Sequence, residues 1–453
     1  MNNRYWKRIL NIVLFLALSV SLFWLGNRTL IMKREDGIVT MQNFYAQEDN
    51  TVDVLILGSS HAGTNIDLET LWNEYGYSAY SLWGSSQPFW NSYHFLIEAL
   101  KTQQPKVVVL DLYAASFPEE YSDEARQVTN TEGMKLSMNK LQAIMASAPK
   151  ERWADLFLGM PVWHSRYREL DANDFAHYPW TKGLEDFKGG STRYGSYWVV
   201  ETGKELSKEI IPMQAREEEY LRKIIELCRQ KELPLLMTVT PTAKRETEQS
   251  YYNAACAVAK EYDVPCYNLN TMDAETGIAT DDYSIDDSHL NTQGARKIAR
   301  WLAGKLQAFD LKDHRGDVRY GSWDRFAAAS NHLYLTQITE LKDWLAEIER
   351  DGYTLVVCPG DINDMTPDVK ERMAQYVYVT VEGELNGNIV SVSQNGGNVL
   401  YLNGDEVFRT KEEGWFFAAY DPAEQEFIDY VMFESVNDSW MRRKDVPNLL
   451  DYQ

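Results

Sequence analysis

The apolar run Val52-Asp53-Val54-Leu55-Ile56-Leu57 breaks at Gly58 and continues as Ser59-Ser60-His61-Ala62-Gly63. A serine hydroxyl among small residues, whose backbone N–H groups stay accessible, is what nucleophilic acyl transfer needs. Such a hydroxyl is weak until a base takes its proton, and the base needs an orienting carboxylate. Far along the chain, Asp286-Asp287-Ser288-His289 offers both, with Asp286 close enough to set the imidazole tautomer from one loop turn. Gly84, in Trp83-Gly84-Ser85-Ser86-Gln87, is a second place where a backbone N–H could meet a developing oxyanion, together with that of Ser60. Each piece alone has a plainer reading. The first is a strand followed by a serine-rich turn, and a lone histidine is more often structural.

The elements that must position these residues follow an α/β rhythm. Val52–Gly58, Tyr77–Trp83, Lys106–Tyr113, Pro234–Thr240 and Pro265–Leu269 read as strands, and most are continuous apolar runs of the kind buried in parallel sheets. Helices are expected between them: a short one after Asp67 as N-cap, Phe89–Thr102, Gln214–Lys231, Glu246–Tyr262, and Thr292–Leu306 capped by Asn291. In open sheets of this kind ligands bind outside the carboxyl ends of the strands, where Ser60, Gly84 and His289 would all lie.

The rhythm stops between about 122 and 206. This stretch reads as an insertion over the strand ends, where loops carry specificity. Its Trp163, Trp180, Tyr194, Tyr197 and Trp198 suit stacking on sugar rings, against the plainer reading of packing residues. His164, Arg166 and Arg168 could bind an anionic group, against a capped helix with surface arginines. His61 and Gln87 join His164 and Arg166 as candidate substrate contacts.

The chain has 453 residues and a formal net charge of −22, which argues against nucleic-acid binding. Ile9–Gly26 is nearly all apolar and carries no charge, with Tyr5, Trp6 and Trp24 at its edges, and is long enough to span a bilayer. Arg4, Lys7 and Arg8 precede it and no small-residue cleavage site follows, so it reads as an uncleaved signal anchor with its N-terminus cytoplasmic. Four cysteines, Cys228, Cys256, Cys266 and Cys358, form no C-x-x-C pair and suggest no zinc site. Separate buried thiols are the expectation, with a Cys256–Cys266 bridge the alternative in an oxidising compartment. The domain plan is a tail (1–8), the anchor (9–26), a stalk (27–50), an α/β domain (51–312), and a separate mostly β domain (313–453). The last contains one helix (Leu335–Glu349) and strand-like runs from Tyr353 to Phe433, with hairpin signals at Asn395-Gly396-Gly397 and Asn403-Gly404. Asp361, Asn363 and Asp364 read as a solvated turn rather than a cation site.

The set Gly58-Ser59-Ser60, Gly84 and Asp286-Asp287-Ser288-His289 resembles the blocks of the SGNH/GDSL hydrolase superfamily, over roughly residues 51 to 307. The resemblance implies a five-stranded parallel, flavodoxin-like sheet with helices on both faces. It implies Ser60 as nucleophile, His289 as general base and acid, Asp286 as its orienter, and the N–H groups of Ser60 and Gly84 as an oxyanion hole. Ser59 stands where the family has Asp, and Asp287 is the worse-placed rival carboxylate. The family's Gly-x-Asn-Asp block is absent; Leu110-Asp111-Leu112-Tyr113 stands there instead. That departure resembles the membrane-tethered branch, which includes the teichoic-acid D-alanyl transfer protein and alginate O-acetylation proteins. It implies a cell-membrane, extracytoplasmic esterase or O-acyltransferase acting on envelope polymers, without cofactor or metal, beside a membrane-bound acyltransferase partner. The C-terminal domain resembles interleukin-like EMT inducer (PANDER-like) domains, from Trp344-Leu345 through Gly352-Tyr353 and from Gly414 to Phe433, in swapped order, which implies a carbohydrate- or protein-binding module. The competing class is a non-catalytic anchored scaffold that binds envelope polysaccharide or a partner.

Overall fold

The computed structural model describes residues 3–32, 36–176, 187–191, 193, 205–284, 288–358, 389–394, 397–410, 415–436 and 439–443. The chain divides into two compact units, Met1–Ala327 and Ala328–Gln453.

In chain order the first unit contains α1 (Asn3–Leu30), α2 (Ile38–Phe44), β1 (Val54–Gly58), α3 (Ser60–Thr64), α4 (Leu68–Tyr75), β2 (Ala79–Trp83), α5 (Phe89–Ala99) and β3 (Val107–Asp111). The insertion follows as α6 (Glu124–Glu132), α7 (Met138–Ser147), α8 (Trp153–Leu158), α9 (Met160–Trp163) and α10 (Ala172–Ala176). The rhythm resumes with α11 (Ala215–Gln230), β4 (Leu235–Val239), α12 (Arg245–Glu261), β5 (Cys266–Asn268), α13 (Asp273–Thr276) and α14 (Thr292–Leu306). α15 (Gly321–Gln337) follows.

β1 to β5 form one parallel sheet in the order β2-β1-β3-β4-β5. Every residue of β1, β2, β3 and β4 is buried, as continuous apolar runs require. The chain starts in the middle, steps to one edge, then returns, and right-handed crossovers then send helices to both faces. α4 packs with α14, while α5 packs with α11 and α7. Local chemistry sets the helix ends: the Asp67 carboxylate accepts the Thr70 N–H at 3.0 Å, and the Asn291 side chain accepts that of Gly294 at 3.0 Å.

Three expectations are corrected. The segment 27–50 is no stalk: Ile38, Met41 and Phe44 are fully buried, and the apolar side of α2 packs into the body of the unit. The α/β unit also runs past 312, because Tyr320, Trp323, Phe326 and Ala327 belong to its core. Cys256 and Cys266 are joined in a disulfide with Cα atoms 5.7 Å apart, and Cys228 is a buried thiol.

The second unit continues with α16 (Leu341–Asp351), β6 (Thr354–Cys358), β7 (Ile389–Gln394), β8 (Gly397–Leu402), β9 (Asp405–Thr410), β10 (Trp415–Asp421), β11 (Glu426–Val436) and β12 (Ser439–Arg442). Two antiparallel sheets, β12-β11-β10-β6 and β7-β8-β9, meet at Phe408, whose ring stacks on Phe416 and Tyr430. Asn403 and Gly404 both take positive φ, 56° and 90°, as a tight hairpin between β8 and β9 demands. The helix expected at Leu335–Glu349 is two, α15 and α16. Asp361, Asn363, Asp364 and the Asn395-Gly396 turn lie outside the described residues.

Gly63 tests this packing. A Cβ on it would fall 2.1 Å from the Trp83 indole, whose Nε1 donates to the Gly189 carbonyl. Gly63→Ala is expected to lower the urea stability of the α/β unit by about 1–3 kcal/mol. An unchanged midpoint would show that Trp83 can move.

Candidate active site

Strand register puts four chain ends at one level. Gly58 is paired with Trp83, Leu57 with Leu110, and Asp111 with Thr238. Ser59-Ser60, Gly84, Leu112-Tyr113 and Val239-Thr240 therefore leave the sheet along a common rim. Gly58 has φ +155°, and a Cβ there would sit 2.9 Å from the Asp111 Cβ and 3.0 Å from that of Ala62. Only glycine lets β1 turn into α3 beside β3.

Ser60 opens α3 and is partly exposed, whereas Ser59 is fully buried and its hydroxyl has no partner among the described residues. Burial keeps Ser59 from any substrate. Residues 282–284 and 289–291 pair with each other. Tyr283 bridges Leu290, the Ser284 N–H donates to the His289 carbonyl at 2.8 Å, and the Asn291 N–H donates to that of Asp282 at 2.8 Å. This holds the His289 ring over α3, with Nε2 2.7 Å from the Ser60 Oγ. A hydroxyl and an imidazole at this separation can pass a proton. Asp286 and Asp287 lie outside the described residues, as do Trp180, Tyr194, Tyr197 and Trp198.

Asn65, which the sequence reading passed over, joins the two halves. Fully buried, its Oδ1 accepts the Leu290 N–H at 2.9 Å, and its Nδ2 donates to the Pro241 carbonyl at 3.1 Å and the Thr240 Oγ1 at 3.2 Å. The Leu290 N–H can only donate, so the carboxamide orientation is fixed. Its Nδ2 also lies 3.1 Å from the His61 Nδ1, and the His61 Nε2 faces the Ser288 Oγ at 3.3 Å. His61 is fully buried and stacks on Tyr113 at 3.7 Å. It is a wall behind His289 rather than the substrate contact expected of it. The Tyr113 hydroxyl lies 3.4 Å from the Ser288 Oγ.

Behind them lies Asp111. Its carboxylate accepts from the Tyr113 N–H at 3.1 Å and from the Thr240 N–H and Oγ1 at 3.2 and 3.0 Å. Burial outweighs these bonds and pushes its pKa up to about 6. Gly84 is required by close approach: a Cβ on it would lie 2.0 Å from the Asn130 Oδ1. Gln87 closes the turn after it, donating its N–H to the Gly84 carbonyl at 3.1 Å and its Nε2 to Ser92 at 3.0 Å, all buried.

Arg166 is corrected. It is buried, bound to Asp174 at 2.6 Å and to the Leu30 and Ile31 carbonyls at 2.9 and 3.2 Å, so it fastens the end of α1. His164 is exposed in the same turn, its Nδ1 2.7 Å from the Pro161 carbonyl. Trp163 packs beside Val128, Ile144 and Leu156. These contacts commit Arg166 and Trp163 to packing, and His164 and Arg168 stay exposed.

Asp111 gives a pH signature. Between its ordinary value near 3.8 and about 6 the folded state holds more protons than the unfolded one, so its contribution to stability falls as pH rises through that window. Asp111→Asn lacks this slope. Relative to wild type, the variant is expected to gain up to roughly 3 kcal/mol between pH 4 and 7 in urea titrations of the α/β unit. A difference that stays flat with pH would mean that Asp111 is ionised throughout.

No family model and no curated protein matches the chain. Among solved structures, the chain is similar to a candidate acylhydrolase from Bacteroides fragilis at 10% identity, over 58% of this chain and 90% of that one, with a TM-score of 0.28. It is similar to a GDSL-like lipase from Bacteroides thetaiotaomicron at 10% identity, over 56% and 88%, with a TM-score of 0.27.

Proposed function

We propose that this protein is a membrane-anchored, extracytoplasmic acyl-ester enzyme of the SGNH type. Ser60 is its nucleophile, His289 its base and acid, and Asp286 the orienting carboxylate. The observation that carries the reading is the 2.7 Å contact between the Ser60 Oγ and the His289 Nε2, residues 229 positions apart. His289 takes the hydroxyl proton as the oxygen attacks an ester carbonyl, and the N–H groups of Ser60 and Gly84 receive the oxyanion. The imidazolium then protonates the departing alkoxide, which leaves an acyl-Ser60 ester. Water or a polymer hydroxyl, deprotonated by His289, attacks that ester and restores the serine. An envelope polysaccharide or teichoic-acid-like polymer is the acceptor that the resemblance favours, and a membrane-bound acyltransferase is the fitting donor partner. The second unit serves as a carbohydrate- or protein-binding module.

α1 supports the location. The span Tyr5–Leu30 contains an 18-residue window of mean hydropathy 2.3, and the helix is long and apolar enough to cross a membrane. The disulfide Cys256–Cys266 suits an oxidising compartment.

A fluorophosphonate probe is expected to label the wild-type chain and not Ser60→Ala, and aryl-acetate turnover should fall by at least about 10³-fold in that variant. Labelling that persists in Ser60→Ala removes Ser60 from the chemistry, and no labelling of wild type favours the scaffold role. Offering an acyl donor with and without envelope glycan then separates transfer from hydrolysis. Asn65→Ala is expected to lower kcat with little change in KM and to cost about 1–3 kcal/mol of stability, because it leaves the Leu290 N–H unpaired and the His289 loop untied. An unchanged kcat would show that the loop holds its own place.

A further inference from the structure

We infer that the insertion elements α8 to α10 form a collar seated in the outer membrane–water interface around the emerging end of α1, with Phe157, Leu158, Tyr167 and Phe175 dipping into lipid. The inference rests on the reading of α1 as a membrane anchor.

Residues of α1 are exposed up to Leu25 and half-buried from Gly26 onward. The body of the unit therefore begins where the apolar run ends. From Ile9 to Gly26 the helix rises about 27 Å, close to the hydrocarbon thickness of a bilayer of about 30 Å. Gly26 and Asn27 then stand at the interface. The Arg28 guanidinium lies 5.3 Å from the Trp24 ring, an aromatic and a basic residue of the kind that anchors a helix at that level.

The collar meets α1 at this height. A Cβ on Gly26 would sit 2.9 Å from the Met160 methyl, and a Cβ on Gly159 would sit 2.8 Å from the Asn27 side chain. Arg166 grips the Leu30 and Ile31 carbonyls. α9, the turn His164–Arg168 and α10 all contact α1. Phe157 and Leu158 come just before Gly159, so they lie within about 5 Å, in helix rise, of the level of Asn27.

Three elements around this contact carry large exposed apolar side chains: Phe157 is 45% exposed and Leu158 42% on α8, Tyr167 58% in the turn His164–Arg168, and Phe175 61% on α10. Single exposed apolar residues need no explanation, but four beside the exit of a spanning helix do. Exposed Lys150 and Arg168 flank them, with stems long enough to reach headgroups. Lipid is the occupant continuous with the surface α1 already presents.

The test uses the full chain in phospholipid liposomes, carrying Cys358→Ser. The buried Cys228 thiol, with its pKa pushed up to about 12, stays unreactive. Single cysteines at Leu16, Phe157, Phe175 and Val318 carry an environment-sensitive fluorophore; Val318, 93% exposed, is the aqueous control. Lipids bearing a quencher in the chain should quench Leu16. Lipids bearing one about 5–10 Å below the headgroups should quench the labels at 157 and 175 roughly twofold or more and leave 318 untouched. Quenching at 16 without quenching at 157 and 175 overturns the collar and keeps the anchor, and leaves that face to a protein or glycan. No quenching at 16 overturns the anchor, and the collar with it.

Discussion

The Asn65 carboxamide is the interaction on which the rest depends. A hydroxyl–imidazole hydrogen bond contributes only about 1 kcal/mol net, too little to order a loop 229 residues from its partner. The loop must be fixed by other means. Asn65 lies one residue past α3, so its position follows that of Ser60, and its Oδ1 takes the N–H of the residue after His289. The other side of the same carboxamide reaches Thr240 at the end of β4, and Thr240 reaches Asp111 at the end of β3. One buried amide thus ties three strand ends and the histidine loop into a single polar network, and a network of this kind specifies one arrangement because breaking any member leaves a buried group unsatisfied. The ionised Asp111 at its far end is an expensive member. Its cost is carried by the apolar sheet around it, as strain at a site generally is.

Much of the fold is legible because it depends on local pattern. Most of the five strands are apolar runs, and the helix-length connections between them require parallel pairing. Ser60, Gly84 and His289 stand out because each follows such a run or precedes a capped helix. What was not legible depends on distance. Asn65 and Thr240 look like ordinary polar residues after a turn, and only the register of β1, β3 and β4 makes them neighbours. Arg166 looked available because its partner Asp174 sits in a short helix without apolar periodicity, and because the carbonyls it binds belong to the end of α1. α2 reads as stalk because seven residues carry too little periodicity to separate a buried helix from a linker. β9 and β12 carry a weak strand signal: one alternates weakly between charged and apolar residues, and the other is four residues long at a sheet edge. The bridge Cys256–Cys266 stays an alternative in the sequence because spacing alone does not show that a helix and the next strand face each other.

The chain leaving α1 also bears on which reaction the proposed site performs. Between Leu30 and Asp36 there are six steps, at most about 20 Å of extended chain. At Asp36 the chain is already at the rim, where the Ser85 hydroxyl donates to its carboxylate at 3.4 Å. Four residues on, the Thr40 hydroxyl donates to the Trp83 carbonyl at 2.6 Å, and a Cβ on Gly84 would come 3.3 Å from the Gly37 Cα. The proposed oxyanion glycine therefore lies within about 30 Å of the end of α1, and if α1 spans a membrane a polymer growing there would be held near Ser60. Proximity of that kind supplies effective concentrations only in the millimolar range. Water, at its bulk concentration, still outnumbers such an acceptor by orders of magnitude. Anchoring alone cannot turn an esterase into a transferase. If the acyl group reaches a glycan, the acceptor must be aligned and water excluded by groups around Ser60 and His289, both of which remain partly exposed.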